Sequence, residues 1–166
     1  SKEMPQAEFF NLGVEGAGNQ LITYRVAEAN NRFKFSDTDL VMVMFSTFCR
    51  EDRWIDGKGW LAGGNVFLGR YYPDEWIRDF ADEKGYLIRD AALIDMTYSY
   101  LESSPATSYL MLSSPFTANS EGLEYGKVPE DIYSVYERTF EKFKPSLYET
   151  ELLPNKSQLE YDYPFK

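Results

Sequence analysis

The run Leu40-Val41-Met42-Val43-Met44-Phe45 is continuously apolar and rich in β-formers, the pattern of a parallel strand covered on both faces. Its surroundings set the fold class. Upstream, Ala7-Glu8-Phe9-Phe10-Asn11-Leu12 is a shorter apolar run leading into Gly13-Val14-Glu15-Gly16-Ala17-Gly18, which predicts a strand that ends in a loop. Asn19 stands where an N-cap belongs, before a helix to about Asn30 with Leu21, Ile22, Val26 and Ala29 on its buried side. Strand, helix and strand in that order make a βαβ unit, expected to cross over with a right hand.

The rest of the chain continues the alternation. Ser46 to Tyr72 reads as a long irregular stretch holding Trp54, Trp60 and Phe67 among several glycines. Pro73 fits the first turn of a short helix over Asp74–Ala81. Leu87, Ala91, Ile94, Tyr98 and Leu101 recur at helical spacing, and Ser103-Ser104-Pro105 ends that helix. Ser108-Tyr109-Leu110-Met111-Leu112 predicts a third buried strand. A loop from Ser113 to Val128, a helix over Pro129–Phe143 and a tail from Lys144 to Lys166 without a clear period follow. These elements predict one α/β domain over residues 1–166, a parallel sheet flanked by helices on both faces. In such folds the working groups lie in loops after the carboxyl ends of strands, here Gly13 to Asn19, Ser46 to Asp52 and Ser113 to Asn119.

Composition removes several function classes. The formal net charge of −10 repels nucleic-acid backbones and anionic membranes, and no basic cluster interrupts it, so neither is expected as a partner. No run is long enough to span a bilayer, and SKEMPQAEFF does not have the form of a signal peptide. Cys49 is the only cysteine, and it reads as a structural thiol because no base is in view to activate it. There is no histidine. A Ser-His-Asp or Cys-His device cannot be assembled from these residues alone, and a histidine-ligated metal site is excluded. No Asp-x-Asp-x-Asp loop is present, so neither a metal nor a cofactor is expected. A dinucleotide fingerprint fails too, because Leu21 stands where the third glycine would have to be.

The first loop, Asn11-Leu12-Gly13-Val14-Glu15-Gly16-Ala17-Gly18-Asn19, resembles the second conserved block of the SGNH (GDSL-like) hydrolases, an Asn-x-Gly-x-x-Gly-like turn leading from a strand into a helix. That resemblance implies a three-layer, flavodoxin-like sandwich and ester-hydrolase chemistry. It also implies that Gly16 donates its backbone N–H to the oxyanion. A glycine suits the role, since the backbone can approach a substrate closely and an N–H near a helix start favours developing negative charge. The plainer reading of the same glycines is a tight strand-to-helix turn.

Leu40 to Glu51 stands where the family has its third block, an apolar strand ending in Gly-x-Asn-Asp. Here Ser46-Thr47-Phe48-Cys49 replaces it, leaving the hydroxyls of Ser46 or Thr47 as stand-in oxyanion donors. Arg50-Glu51 followed by Trp54 resembles divergent SGNH-like proteins of phage genomes. It implies substrate-binding roles for Arg50, Glu51, Trp54 and Asn19, against a rim salt bridge between Arg50 and Glu51. The family's Gly-Asp-Ser and Asp-x-x-His blocks are not within the 166 residues, so they are expected outside both ends.

The aromatic stretch from Trp54 to Trp76 suits stacking on sugar rings. It equally suits a satellite core that holds a long loop down. Two functions follow: an SGNH-type ester hydrolase acting on acylated carbohydrate, or a non-catalytic binding or structural module of the same fold.

Overall fold

A computed structural model describes residues 7–67, 71–113, 128–143, 145–146 and 149–150. In chain order the elements are α1 (Asn19–Phe33), β1 (Leu40–Phe45), β2 (Arg50–Ile55), β3 (Gly59–Asn65), α2 (Asp74–Phe80), α3 (Glu83–Glu102), β4 (Thr107–Leu112) and α4 (Glu130–Glu141). The protein is mixed α/β. β1 and β4 pair in parallel, Leu40 opposite Thr107 through Phe45 opposite Leu112. β2 and β3 form a separate antiparallel hairpin. The helices and the parallel pair fall where the apolar spacing puts them.

The first expected strand does not form. Ala7 to Val14 has no strand partner among the described residues, and Phe9 and Phe10 stay exposed. A strand is held by its ladder, and without one this run makes only local hydrogen bonds and a side-chain contact, Phe10 resting on Phe33 at the end of α1 with ring centroids 4.4 Å apart. The βαβ unit expected over residues 7–45 is therefore replaced by a longer crossover from β1 through the hairpin, α2 and α3 to β4.

The stretch expected to be irregular contains the hairpin. Asp56-Gly57-Lys58 turns the chain, with Gly57 and Gly59 both at positive φ and the Lys58 amide donating to the Ile55 carbonyl at 3.0 Å. A register shift between Arg50 and Asp52 is accommodated opposite Gly63-Gly64, where Gly64 has φ +69°.

β1 is also not covered on both faces by the described residues. Val43 and Phe45 are buried in the core, with Val41 packed against it, whereas Leu40, Met42 and Met44 alternate with them and are exposed. The core on the buried side joins Val43, Phe45 and Leu112 to Val26 of α1, Leu87, Ala91, Ile94 and Leu101 of α3, and Ile132 and Phe140 of α4. Residues 114–127, which include most of the third expected loop, and 151–166 lie outside the described residues.

What positions the first loop is a single carboxylate. Asp52 of β2 is 3% exposed, and it accepts from Gly18 N–H at 2.9 and 3.1 Å and from Leu21 N–H at 2.9 Å. Residues at a helix start have amides with no intrahelical partner, and a carboxylate is the acceptor the helix dipole favours there. The cap thus comes from a distant strand. Asn19, expected to cap the helix, is its first residue instead, and Gly18 occupies the extended cap position. Replacing Asp52 by alanine strands these buried amides and is expected to cost about 1–3 kcal/mol. Urea unfolding reads this directly, and a variant as stable as the parent would contradict it.

Candidate functional site

The two loops expected to carry the chemistry are held to the same framework. Asn19 is fully buried, and its side chain clamps the loop after β1: Oδ1 accepts from Ser46 N–H at 2.8 Å and Nδ2 donates to the Ser46 carbonyl at 3.3 Å. Its amide is thereby committed to the backbone of the loop that bears the Ser46 and Thr47 hydroxyls. Thr47 Oγ1 accepts from Arg50 Nε at 3.2 Å.

Arg50 and Asp52 also close the space beside Gly18, where a Cβ would come within 2.8 Å of Arg50 Cβ and of Asp52 Oδ2. Gly18, Arg50 and Thr47 therefore form one contiguous wall. Gly16 is half-buried at φ +79°, and a Cβ there would lie 3.1 Å from the carbonyl oxygen of Ala62 on β3. Among the described residues its N–H meets no hydrogen-bond acceptor, although the Ala17 amide next to it donates to the Val14 carbonyl at 3.1 Å. The requirement for glycine at 16 is thus conformational as well as steric.

Arg50 and Glu51 do not pair with each other. Neighbours on a strand point to opposite faces, which separates their side chains. Glu51 instead accepts from Arg89 of α3 at 3.1 Å and lies 3.4 Å from Arg53. Arg89 also donates to the Arg50 carbonyl at 2.5 Å and to Asp90 Oδ1 at 2.9 Å. One guanidinium thereby ties α3 to β2. Burial works against its charge, but the carboxylates of Asp90 and Glu51 outweigh that and raise its pKa. Sequence reasoning missed Arg89 and Asp90, although Asp90, three residues after Leu87 and four before Ile94, is a carboxylate on the apolar stripe of the helix, which is itself a signal.

Asp90 is completely buried, and its Oδ2 finds no donor among the described residues. Burial pushes its pKa up to about 6, with Arg89 and the Cys49 backbone amide pulling the other way. Cys49, immediately before β2, has φ +62°. Burial, with Glu83 and Asp90 adding to it, pushes its thiol up to about 12, so it is not a nucleophile at neutral pH.

The hairpin divides the aromatic residues between its two sides. Arg53 lies 4.8 Å from the Trp76 ring and 5.4 Å from Tyr72, which stack on one another at 4.7 Å. This side is a satellite core. Trp54 belongs to the other side and packs edge-on to Trp60 at 5.8 Å, yet remains 64% exposed. Among the described residues no group of three or more histidine, cysteine, aspartate or glutamate residues is placed to hold a metal ion, and no helix is long and apolar enough to cross a membrane.

The Asp90 shift carries a sign. Its folded pKa of about 6 lies above the ordinary 3.8, so the folded state binds the proton more tightly. The resulting stability is fully present below pH 3.8 and is lost as the pH rises through 6. Asp90→Asn removes this dependence. The stability of the variant relative to the parent is expected to grow by about 2–3 kcal/mol between pH 4 and pH 7. Urea titrations at both values measure it, and a constant difference would contradict the assignment.

Compared with known proteins, the chain matches no family model, no curated protein and no solved structure.

Proposed function

We propose that this chain forms the oxyanion side of an SGNH-type ester-hydrolase site acting on acylated carbohydrate. The observation that carries the reading is Gly16. Its N–H is without an acceptor among the described residues, in a loop whose next turn is fixed by Asp52. A donor held in place before the reaction costs no reorganisation when negative charge develops on a carbonyl oxygen. Ser46 and Thr47 are the accompanying hydroxyl donors, on a loop that Asn19 ties to the start of the same helix. The serine nucleophile and the histidine base come from outside the 166 residues in this reading, since the chain has no histidine.

The three-layer sandwich belongs to the proposal as well. Leu40, Met42, Met44 and Tyr109 share one exposed face of the β1–β4 pair. Parallel sheets are ordinarily covered on both faces, and a third layer would bury these side chains.

The second reading, a non-catalytic module of the same fold, draws on a different observation. The open amides at the start of α1 are taken by the protein's own Asp52 rather than left for a ligand.

Hydrolysis of p-nitrophenyl acetate separates the two. The 166-residue chain alone is expected at background. The encoded polypeptide that includes its flanking sequence is expected to turn over with saturation. Gly16→Val, which places a branched side chain at positive φ against Ala62, is expected to lower kcat by about 100-fold or more in that polypeptide. No saturable turnover by the flanked polypeptide, or full activity in Gly16→Val, would favour the module instead.

A further inference from the structure

Residues two apart on a strand share a face, so the side of the hairpin that carries Asp52 and Ala62 also carries Trp54 and Trp60. Trp54 and Trp60 oppose one another directly, their ring planes at 79°. Tyr24 of α1 meets Trp60 from above the hairpin, with ring centroids 5.5 Å apart. Trp54 is 64% exposed and Tyr24 45% exposed, so aromatic surface faces solvent on two different elements that converge on Trp60.

The position of this surface is what gives it a use. Trp60 precedes Ala62 by two residues, about 7 Å along a strand. Ala62 is the residue against which Gly16 rests. The aromatic surface therefore begins one strand step from the Gly16 loop, on the same face.

We propose that Trp54, Trp60 and Tyr24 form a stacking subsite for the pyranose ring of a neutral O-acylated saccharide. The axial C–H face of a pyranose is apolar and lies flat on an aromatic ring, while its hydroxyls point outward to water. Asp56 and Lys58 are exposed in the turn that joins Trp54 to Trp60, and supply polar groups close in sequence to both rings. The net charge of −10 selects against uronate-rich chains, which the protein's field repels. The placement of the acyl group toward Gly16 rests on the ester-hydrolase reading, whereas the stacking itself does not.

The test uses the 166-residue chain and partially O-acetylated xylohexaose, followed by tryptophan fluorescence and by saturation transfer to the ligand in NMR. Saturable binding is expected, with transfer strongest to the ring C–H protons. Trp54→Ala is expected to weaken binding at least tenfold at unchanged circular dichroism, and Tyr24→Ala on the separate element to weaken it as well. Tyr109→Ala, on the exposed sheet face, should leave binding as it is. No saturable binding, or equal binding by Trp54→Ala and the parent, overturns the subsite. The two readings fail separately. Binding that depends on Trp54 without any ester turnover by the flanked polypeptide keeps the subsite and removes the hydrolase. Turnover of acetylated saccharide that is indifferent to Trp54→Ala does the reverse.

Discussion

The buried carboxylate of Asp52 is the interaction on which the arrangement of this protein depends. It takes the Gly18 and Leu21 amides from the start of α1, and so fixes where that helix begins relative to the hairpin. A buried carboxylate is costly unless its oxygens are satisfied, and a helix start is costly unless its amides are. Each resolves the other. The consequence is steric as well as electrostatic: Gly18 must be glycine because Arg50 and Asp52 approach it so closely, and Gly16 is left facing Ala62 in a left-handed conformation.

A second polar junction holds the other side of β2. Arg89 collects Glu51, the Arg50 carbonyl and Asp90, so that α3 and the hairpin are joined through charge while the rest of α3 packs by apolar contact. The two junctions use successive residues of one strand, which point to opposite faces, Glu51 toward α3 and Asp52 toward α1. β2 thereby serves as the strut between both long helices even though it lies outside the parallel pair. The expense of this design falls on Asp90, whose second oxygen is buried without a donor among the described residues.

Much of this was legible in the residues, and the exceptions have physical causes. The helical spacing of Leu87, Ala91, Ile94, Tyr98 and Leu101 predicted α3; all but the half-buried Tyr98 are buried, and Tyr86, Asp90 and Thr97 are buried with them. Continuous apolar runs predicted β1 and β4 and their parallel pairing. The run at Phe9-Phe10 carried the same local signal, but strand formation needs a ladder partner that a local pattern does not supply. The hairpin does carry a sequence signature: Asp56-Gly57 is a strong turn signal, and it lies between Trp54 and Trp60. Glycines and tryptophans together suggested loop, where they actually mark a tight turn and a cross-strand aromatic pair. The glycine loop is legible from its motif. Its anchor is not, because Asp52 is distant in sequence and aspartate is ordinarily a surface residue.

Gly16 is a donor held still but without an acceptor among the described residues, beside amides that are held still and paired. Amide hydrogen exchange by NMR distinguishes these states residue by residue. Gly18 and Leu21, bonded to Asp52, are expected to exchange slowly, near the rate set by global unfolding. Gly16 is expected to exchange orders of magnitude faster, while its 15N relaxation shows the same rigid backbone as its neighbours. Protection at Gly16 equal to that at Gly18 would mean that its N–H already has a partner, and would contradict the central claim.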